Sequence, residues 1–257
     1  MLPSPCYVIS DAHLGVADRD AERLLLAFLR DIRRDAKSLV INGDLFDFWF
    51  EWKRVIPRAG YRVLAALADL ADDGVEIVWV AGNHDCWGGE VLRHDVGVQY
   101  VLGTWRGEIA GWVTRIDHGD GLRDVEDRRY RALRVVLRNG LAIRAFRWLH
   151  PDLAARIALG SSHASRTYRA KDGGSGLHKV AMRDLEQEPG LQLLVFGHSH
   201  VPEVERAASG GVYANAGTWL GDSTFLRITD DGVELRRFRI SLSGPSSDLL
   251  RREPRRA

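Results

Sequence analysis

Residues Val80–Trp87 read Val-Ala-Gly-Asn-His-Asp-Cys-Trp, VAGNHDCW, and close an apolar run that begins at Val75. A run of that length bounded by turn residues has the dimensions of a buried strand. Glycine, asparagine and aspartate after it are what a chain reversal needs. The turn does not explain the histidine, so the other strand-like runs become the test. Four more end in the same manner: Cys6–Ser10 before Asp11-Ala-His13, Leu39–Asn42 before Gly43-Asp44, Val113–Asp117 before His118-Gly-Asp120, and Leu191–Phe196 before Gly197-His198-Ser-His200. Each run is about five residues rich in Val, Ile and Leu, as strands are.

Between the first two runs Leu24, Leu25, Phe28, Leu29 and Ile32 recur on one helical face, and Tyr61, Leu64, Leu67 and Ala68 repeat that pattern before the third run, Ile77–Ala81. Strand, helix, strand, helix, strand predicts a largely parallel α/β sheet on the N-terminal side. In such sheets ligands bind outside the carboxyl ends of the strands, where the polar residues fall. After Gly211 the runs Val212–Asn215, Thr224–Ile228 and Val233–Ile240 predict a β-meander. Residues 242–257, rich in Ser, Pro and then Arg, predict a disordered basic tail.

Composition sets the bounds. The chain has 257 residues, 45% hydrophobic and 28% charged, with a net charge of +1, which suits one large globular domain and gives no overall case for nucleic acid as a partner. Two cysteines, Cys6 and Cys86, are too few for a disulfide scaffold and suit a reducing compartment. No signal peptide is read at the start, and no apolar run approaches the roughly 18 residues of a membrane span. The expected location is cytoplasmic, with peripheral contact at the inner membrane surface open.

The donors at the five strand ends are carboxylates, imidazoles and one amide, with no thiolate. That set suits Mn, Fe or Zn in a catalytic rather than a cysteine-type structural site. In extended backbone residues i and i+2 share a side, so Asp11 with His13 and His198 with His200 are each expected to aim at one region. Any one of these motifs alone reads more simply as a strand end or a turn; their joint occurrence, each at a strand end, argues for a site. Seven donors exceed the needs of one tetrahedral ion, and paired ions about 3.5–4 Å apart stabilise both attacking and leaving oxygens in phosphoryl displacement.

Residues 121–170 differ from the rest, with eleven arginines, no lysine and four acidic residues among apolar residues at helical intervals. They predict a helical insertion, about 122–187, with one apolar and one cationic face. A solvated helix pair packed on the core is the plain alternative to a lid that meets an anionic, partly apolar ligand.

In order, D-x-H, G-D-x-x-D (Gly43–Asp47), G-N-H-D, H-G-D and G-H-x-H resemble the calcineurin-like metallophosphoesterase superfamily over residues 7 to about 217. The resemblance implies a sandwich of two mixed β-sheets flanked by helices. It also implies a dinuclear centre: Asp11, His13, Asp44 and His200 on one ion, with Asp44 bridging to a second completed by Asn83, His118 and His198. Manganese is the first choice of metal, with iron or zinc admitted by the donors. His84 would act beside the scissile phosphate with Asp85 orienting its ring, and Asp47 and Asp120 are candidates to support the ligands, a cap or turn carboxylate being the equal alternative for both. Within the superfamily the GDLFDFW segment, the insertion, the run LHPDLAARIALGSSHASR and the NAGTW segment are similar to the UDP-2,3-diacylglucosamine diphosphatases and their relatives. Many of those carry Arg where this chain has His84 and Asp where it has Thr218.

That resemblance implies an anionic glycolipid or nucleotide-sugar substrate split into UMP and a lipid monophosphate. Asn83, His84, His198, Asp127, Tyr130, Arg166 and Arg169 are its candidate substrate contacts. Two competing functions stand beside it. One is a phosphodiesterase or phosphatase on a soluble nucleotide or phosphoprotein, with Phe46, Phe48, Trp49, Phe50 and Trp52 stacking a base. The other is a non-catalytic scaffold, which the complete donor set disfavours.

Overall fold

The computed structural model describes residues 1–158, 160 and 172–255. Its organisation follows from strands that are apolar on both faces. Strands β1 (Cys6–Ile9), β2 (Ser38–Asn42) and β3 (Glu76–Val80) are buried along almost their whole length, as strands covered on both sides must be. Their alternate residues divide between two cores. Tyr7, Ile9, Leu39, Ile41, Ile77 and Trp79 face the helices α1 (Arg19–Ile32) and α2 (Tyr61–Asp72). Cys6, Val8, Val40, Val78 and Val80 face a second sheet.

The first sheet has seven strands in the order β12 (Gly244–Pro254), β11 (Gly232–Ser241), β10 (Thr224–Thr229), β1, β2, β3 and β4 (Gln99–Val101), and the second five in the order β5 (Trp105–Ile109), β6 (Trp112–Ile116), β7 (Leu193–Phe196), β9 (Val212–Asn215) and β8 (Glu203–Arg206). Strands β1 to β4 (Gln99–Val101) run parallel. In the second sheet β6 (Trp112–Ile116), β7 (Leu193–Phe196) and β9 (Val212–Asn215) run parallel, with β5 (Trp105–Ile109) and β8 (Glu203–Arg206) antiparallel at its edges. Thus the expected sandwich of two mixed sheets flanked by helices is present, and the five motifs divide three to two between the sheets. The sequence reading missed β4, β5 and β8, which are short or carry charged residues on one face.

Three helices, α3 (Arg128–Leu137), α4 (Gly140–Phe146) and α5 (residues 151–158), build the insertion. The next helix, α6 (Ser175–Gln187), lies within the expected insertion bounds but is not part of a lid. Leu177, Val180, Ala181 and Leu185 are buried against Leu194, Phe196 and Tyr213 of the second sheet, so α6 is an outer layer of the sandwich.

The expected disordered tail is also corrected. Residues Gly244–Pro254 form β12, paired antiparallel along the whole of β11 (Gly232–Ser241) beside β10 (Thr224–Thr229). Composition suggested disorder because β12 has little apolar surface. The strand is held instead by ladder hydrogen bonds and by ion pairs such as Arg206–Glu253 at 3.2 Å and Arg239–Asp248 at 2.9 Å.

Candidate metal centre and adjoining groove

The strand ladders do not stop where the strands do. Asp11 N–H donates to Gly43 O at 3.1 Å and His13 N–H to Asp44 O at 3.0 Å, so the loops after β1 and β2 run side by side. On the other sheet Gly197 N–H donates to His118 O at 2.9 Å. The two pairs of loops meet at one end of the sandwich. Gly43 is where they touch: a Cβ there would overlap the His118 ring and the Gly82 backbone.

The geometry corrects one sequence argument. Asp11, His13, Asp44, His198 and His200 are not extended; all five have φ between +45° and +63°. Non-glycine residues avoid that region, and strain of this kind persists only where surrounding structure holds it. Thr218 supplies part of that hold, its hydroxyl donating to Asp11 O at 2.8 Å.

Each acid is anchored by one oxygen and presents the other. Asp11 Oδ2 accepts from the Ser10 hydroxyl and from His198 N–H, while Oδ1 lies 3.2 Å from His200 Nε2. Asp44 Oδ1 accepts from His84 N–H at 2.9 Å, while Oδ2 lies 3.2 Å from His118 Nε2 and 4.0 Å from His13 Nε2. Three groups of donors result, each able to hold an ion: Asp11, His13 and His200; His13, Asp44 and His84; and Asp44, His118 and His198. Asp44 belongs to two of them. Asn83 is half-buried and stands beside His84 on the wall of a groove.

The donor set passes a direct test of fit. His118 Nδ1–H donates to Asn42 O at 2.8 Å, which turns Nε2 towards Asp44. His118 Nε2 and Asp11 Oδ1 are buried and neither takes part in a well-formed hydrogen bond, although each faces an opposite donor atom at 3.2 Å. Buried polar atoms left in that state are costly, and a cation between them removes the cost. Burial alone would depress His118, but the Asp44 carboxylate overrides it and lifts the imidazole to about 10. Burial would likewise raise Asp44, yet His118 and His84 hold it well below the usual carboxylate range.

His84 and Asp85 do not form the expected couple. His84 Nδ1–H donates to the Asp47 carbonyl at 2.8 Å, leaving Nε2 3.9 Å from Asp44 Oδ2. Asp85 instead accepts Gly82 N–H at 2.8 Å and Leu45 N–H at 2.9 Å, tying the loop after β3 to the loop after β2. A fully buried carboxylate that receives two backbone N–H groups is a loop clamp. Burial and the charge of Asp44 push it to about 7 against those donors. Asp47 Oδ1 stands 3.3 Å from His13 Nδ1.

A groove of about 400 Å³ opens beside this centre. Asp47, Asn83 and His84 form its polar end; Phe48, Phe50, Trp87 and Phe146 form an aromatic wall; Leu133, Leu137, Ile143 and Ile157 of the insertion close it. Trp87 stacks on Phe146 at 5.6 Å and donates its indole N–H to Leu137 O at 2.8 Å, which seats the insertion on the GNHDCW loop. The aromatic segment therefore divides: Phe46 and Trp49 stack in the core with Trp79, and Phe48 and Phe50 line the groove.

Tyr130 lines the groove too, its hydroxyl held by Asp120 Oδ2 at 2.6 Å. Asp127 does not. It is buried at the start of α3 and accepts the backbone and guanidinium N–H groups of Arg123. Arg166 and Arg169 lie outside the described residues. Sequence reasoning missed Trp87 and Phe146 as groove residues, and missed Asn215, which donates to Gly197 O at 3.0 Å and so holds the loop bearing His198 and His200.

Carboxylates and imidazoles gathered where two mixed sheets end define a metal-dependent hydrolase of phosphate esters. The chain belongs to the calcineurin-like phosphoesterase family, which it matches over residues 4–202. It is 33% identical to a UDP-2,3-diacylglucosamine hydrolase of Porphyromonas gingivalis, over 77% of this chain and 84% of that protein. It is 31% identical to a protein of the same name from Xanthomonas oryzae pv. oryzae, over 90% and 97% respectively. Among solved structures, vacuolar protein sorting 29 of Cryptosporidium parvum aligns over 97% of each chain at 14% identity and a TM-score of 0.49. Among the described residues, no helix is long and apolar enough to cross a membrane.

Proposed function

We propose that the protein hydrolyses the diphosphate of a nucleotide-linked acylated sugar, UDP-2,3-diacylglucosamine or a close analogue, to UMP and a lipid monophosphate. The observation that carries this reading is the groove. An apolar channel walled by aromatic and aliphatic side chains meets Asn83 and His84 at its polar end, which suits an acyl chain held next to a reacting phosphate. A soluble nucleotide would stack a base on the aromatic side of that wall but leave its aliphatic side, Leu133, Leu137, Ile143 and Ile157, without a ligand. The names of the relatives point the same way.

Asp11, His13, Asp44 and His200 would hold one divalent ion, and Asp44, Asn83, His118 and His198 a second, with manganese the metal we propose. Such ions supply charge neutralisation at the phosphoryl oxygens and an activated water at neutral pH. The chain's own residues do the rest. Asp47 O takes the Nδ1–H of His84, so Nε2 can donate to a phosphoryl or leaving oxygen only when the ring carries its second proton. Asp85 keeps that ring in place through the loop. Tyr130, fixed by Asp120 on the groove wall, would contact the sugar or nucleotide portion of the substrate. Exposed Trp148 and Leu141 on the insertion, beside Arg144 and Arg147, support peripheral contact with an anionic membrane surface.

The test is product analysis. Incubated with UDP-2,3-diacylglucosamine and Mn²⁺, the protein is expected to release UMP and an acylated sugar phosphate. Hydrolysis of a small artificial phosphodiester without any cleavage of the lipid substrate would sink the substrate assignment and leave the hydrolase class standing.

A further inference from the structure

On the far side of the second sheet a different set of donors converges. Glu203 and Glu205 lie two apart on β8, so they share the face that looks towards α6, while Val204 between them is buried in the sandwich core. His178 of α6 points at the same place, its Nδ1 2.9 Å from Glu203 Oε1. Its ring stands edge-on to Tyr213, with centroids 6.0 Å apart, and Tyr213 is the cross-strand partner of Glu205. One donor atom from each of the three residues lies within 4.8 Å of the others.

We propose that His178, Glu203 and Glu205 form a separate site for one divalent transition-metal ion, of the Zn²⁺ class, outside the catalytic centre. Glu203 and Glu205 share one face of β8 two residues apart, and a cation between them would relieve the repulsion of their charges. Among the described residues no arginine or lysine forms an ion pair with either glutamate; the sole ion-pair contact is that of Glu203 with His178. One imidazole and two carboxylates are a zinc-type donor set, with metal–donor distances of about 2.0–2.2 Å. The donor atoms lie within 4.8 Å of one another, so binding would draw the side chains together around the ion. His178 and Glu203 are each close to one-third exposed, 29% and 30%, so an ion can enter.

The site would clamp the edge strand β8 to α6. Glu203 is the register partner of Asn215, whose amide holds the loop bearing His198 and His200. An ion here therefore stiffens the strand pair behind the catalytic loop without touching it.

The experiment compares the wild type with H178A and E205Q, each equilibrated with Zn²⁺ after saturation with Mn²⁺, desalted, and analysed for total metal by mass spectrometry. The wild type is expected to carry one metal equivalent per chain more than either variant. Its thermal midpoint should rise with the last equivalent of Zn²⁺ while theirs does not. Glu205→Gln keeps the side chain's size on a part-exposed strand face, so its count decides even if the histidine variant proves unstable. Equal totals in wild type and E205Q would overturn the proposal. The difference in count, rather than the total or any activity, is the readout, so the result stands apart from the substrate reading.

Discussion

His84 and Asp85 are neighbours with separate tasks, and substitutions divide them. His84→Ala removes the imidazole proposed to face the reacting phosphate, with its bond to Asp47 O, but keeps the backbone N–H bonds to Asp44 and Asp85 that hold its loop; turnover is expected to fall about 10²–10⁴-fold with metal content retained, as measured by mass spectrometry beside steady-state rates. Asp85→Asn leaves one amide N–H facing the backbone N–H of either Gly82 or Leu45, at a cost of about 1–3 kcal/mol. Its expected signature is loss of metal together with activity. Full metal occupancy in Asp85→Asn would contradict the loop-clamp role. The acid–base state of the metal-free centre gives a third prediction. His118 is raised to about 10, above its unfolded value, so its contribution to stability is present in full below about pH 6.5 and is lost as pH rises through 10. Asp85, raised to about 7, acts in the same direction at lower pH. The metal-free protein should therefore lose stability in denaturant titrations between pH 6 and 9. Metal binding must displace the His118 proton, so affinity should rise with pH over the same range, with proton release seen by calorimetry in buffers of different ionisation enthalpy.

At the scale of elements, the insertion and the loops it rests on form the groove beside the centre, and we propose that they select the substrate. Phe146 on α4 stacks on Trp87 and packs on Phe50 at 5.0 Å, so it belongs to the groove rather than to the helix bundle alone. Phe146→Asp places a charge on that wall. Its kcat/KM for the diacylated substrate is expected to fall at least tenfold more than for a small phosphodiester, in parallel assays of both. Equal losses would assign the groove a purely structural role. The glycines of the loops are a separate matter, because Gly43 has φ +77° and no room for a Cβ. The sequence displayed the turn and the polar residues here, and it displayed the helical periodicity of the insertion. It did not display that Trp87 reaches Leu137 across fifty positions, since that hydrogen bond exists only once the insertion is seated.

For the whole molecule, the two sheets and their covering helices form one sandwich whose motif-bearing strand ends converge at one end, and the C-terminal hairpin completes an edge. Truncation after Ser241 would strip β11 of its ladder partner and remove Glu253 from Arg206. The thermal midpoint should fall by several degrees while the metal stoichiometry of the centre is unchanged, because β12 lies at the opposite edge of the first sheet from β3 and β4. An unchanged midpoint would mean that the pairing adds nothing to stability. The sequence by itself determined the strand and helix periodicities, the α/β class, and the five polar strand ends with Asp11, His13, Asp44, His118, His198 and His200 among them. Those are local patterns of burial and side-chain chemistry, carried by residues a few positions apart. Only the tertiary structure decided that the motifs come from two sheets, that the Asp11 and His198 loops are left-handed rather than extended, that Asp85 clamps a loop, and that a charged tail is a strand. Each of those depends on partners distant in the chain, which hold a strained backbone or supply the other half of a ladder, and no local pattern records them.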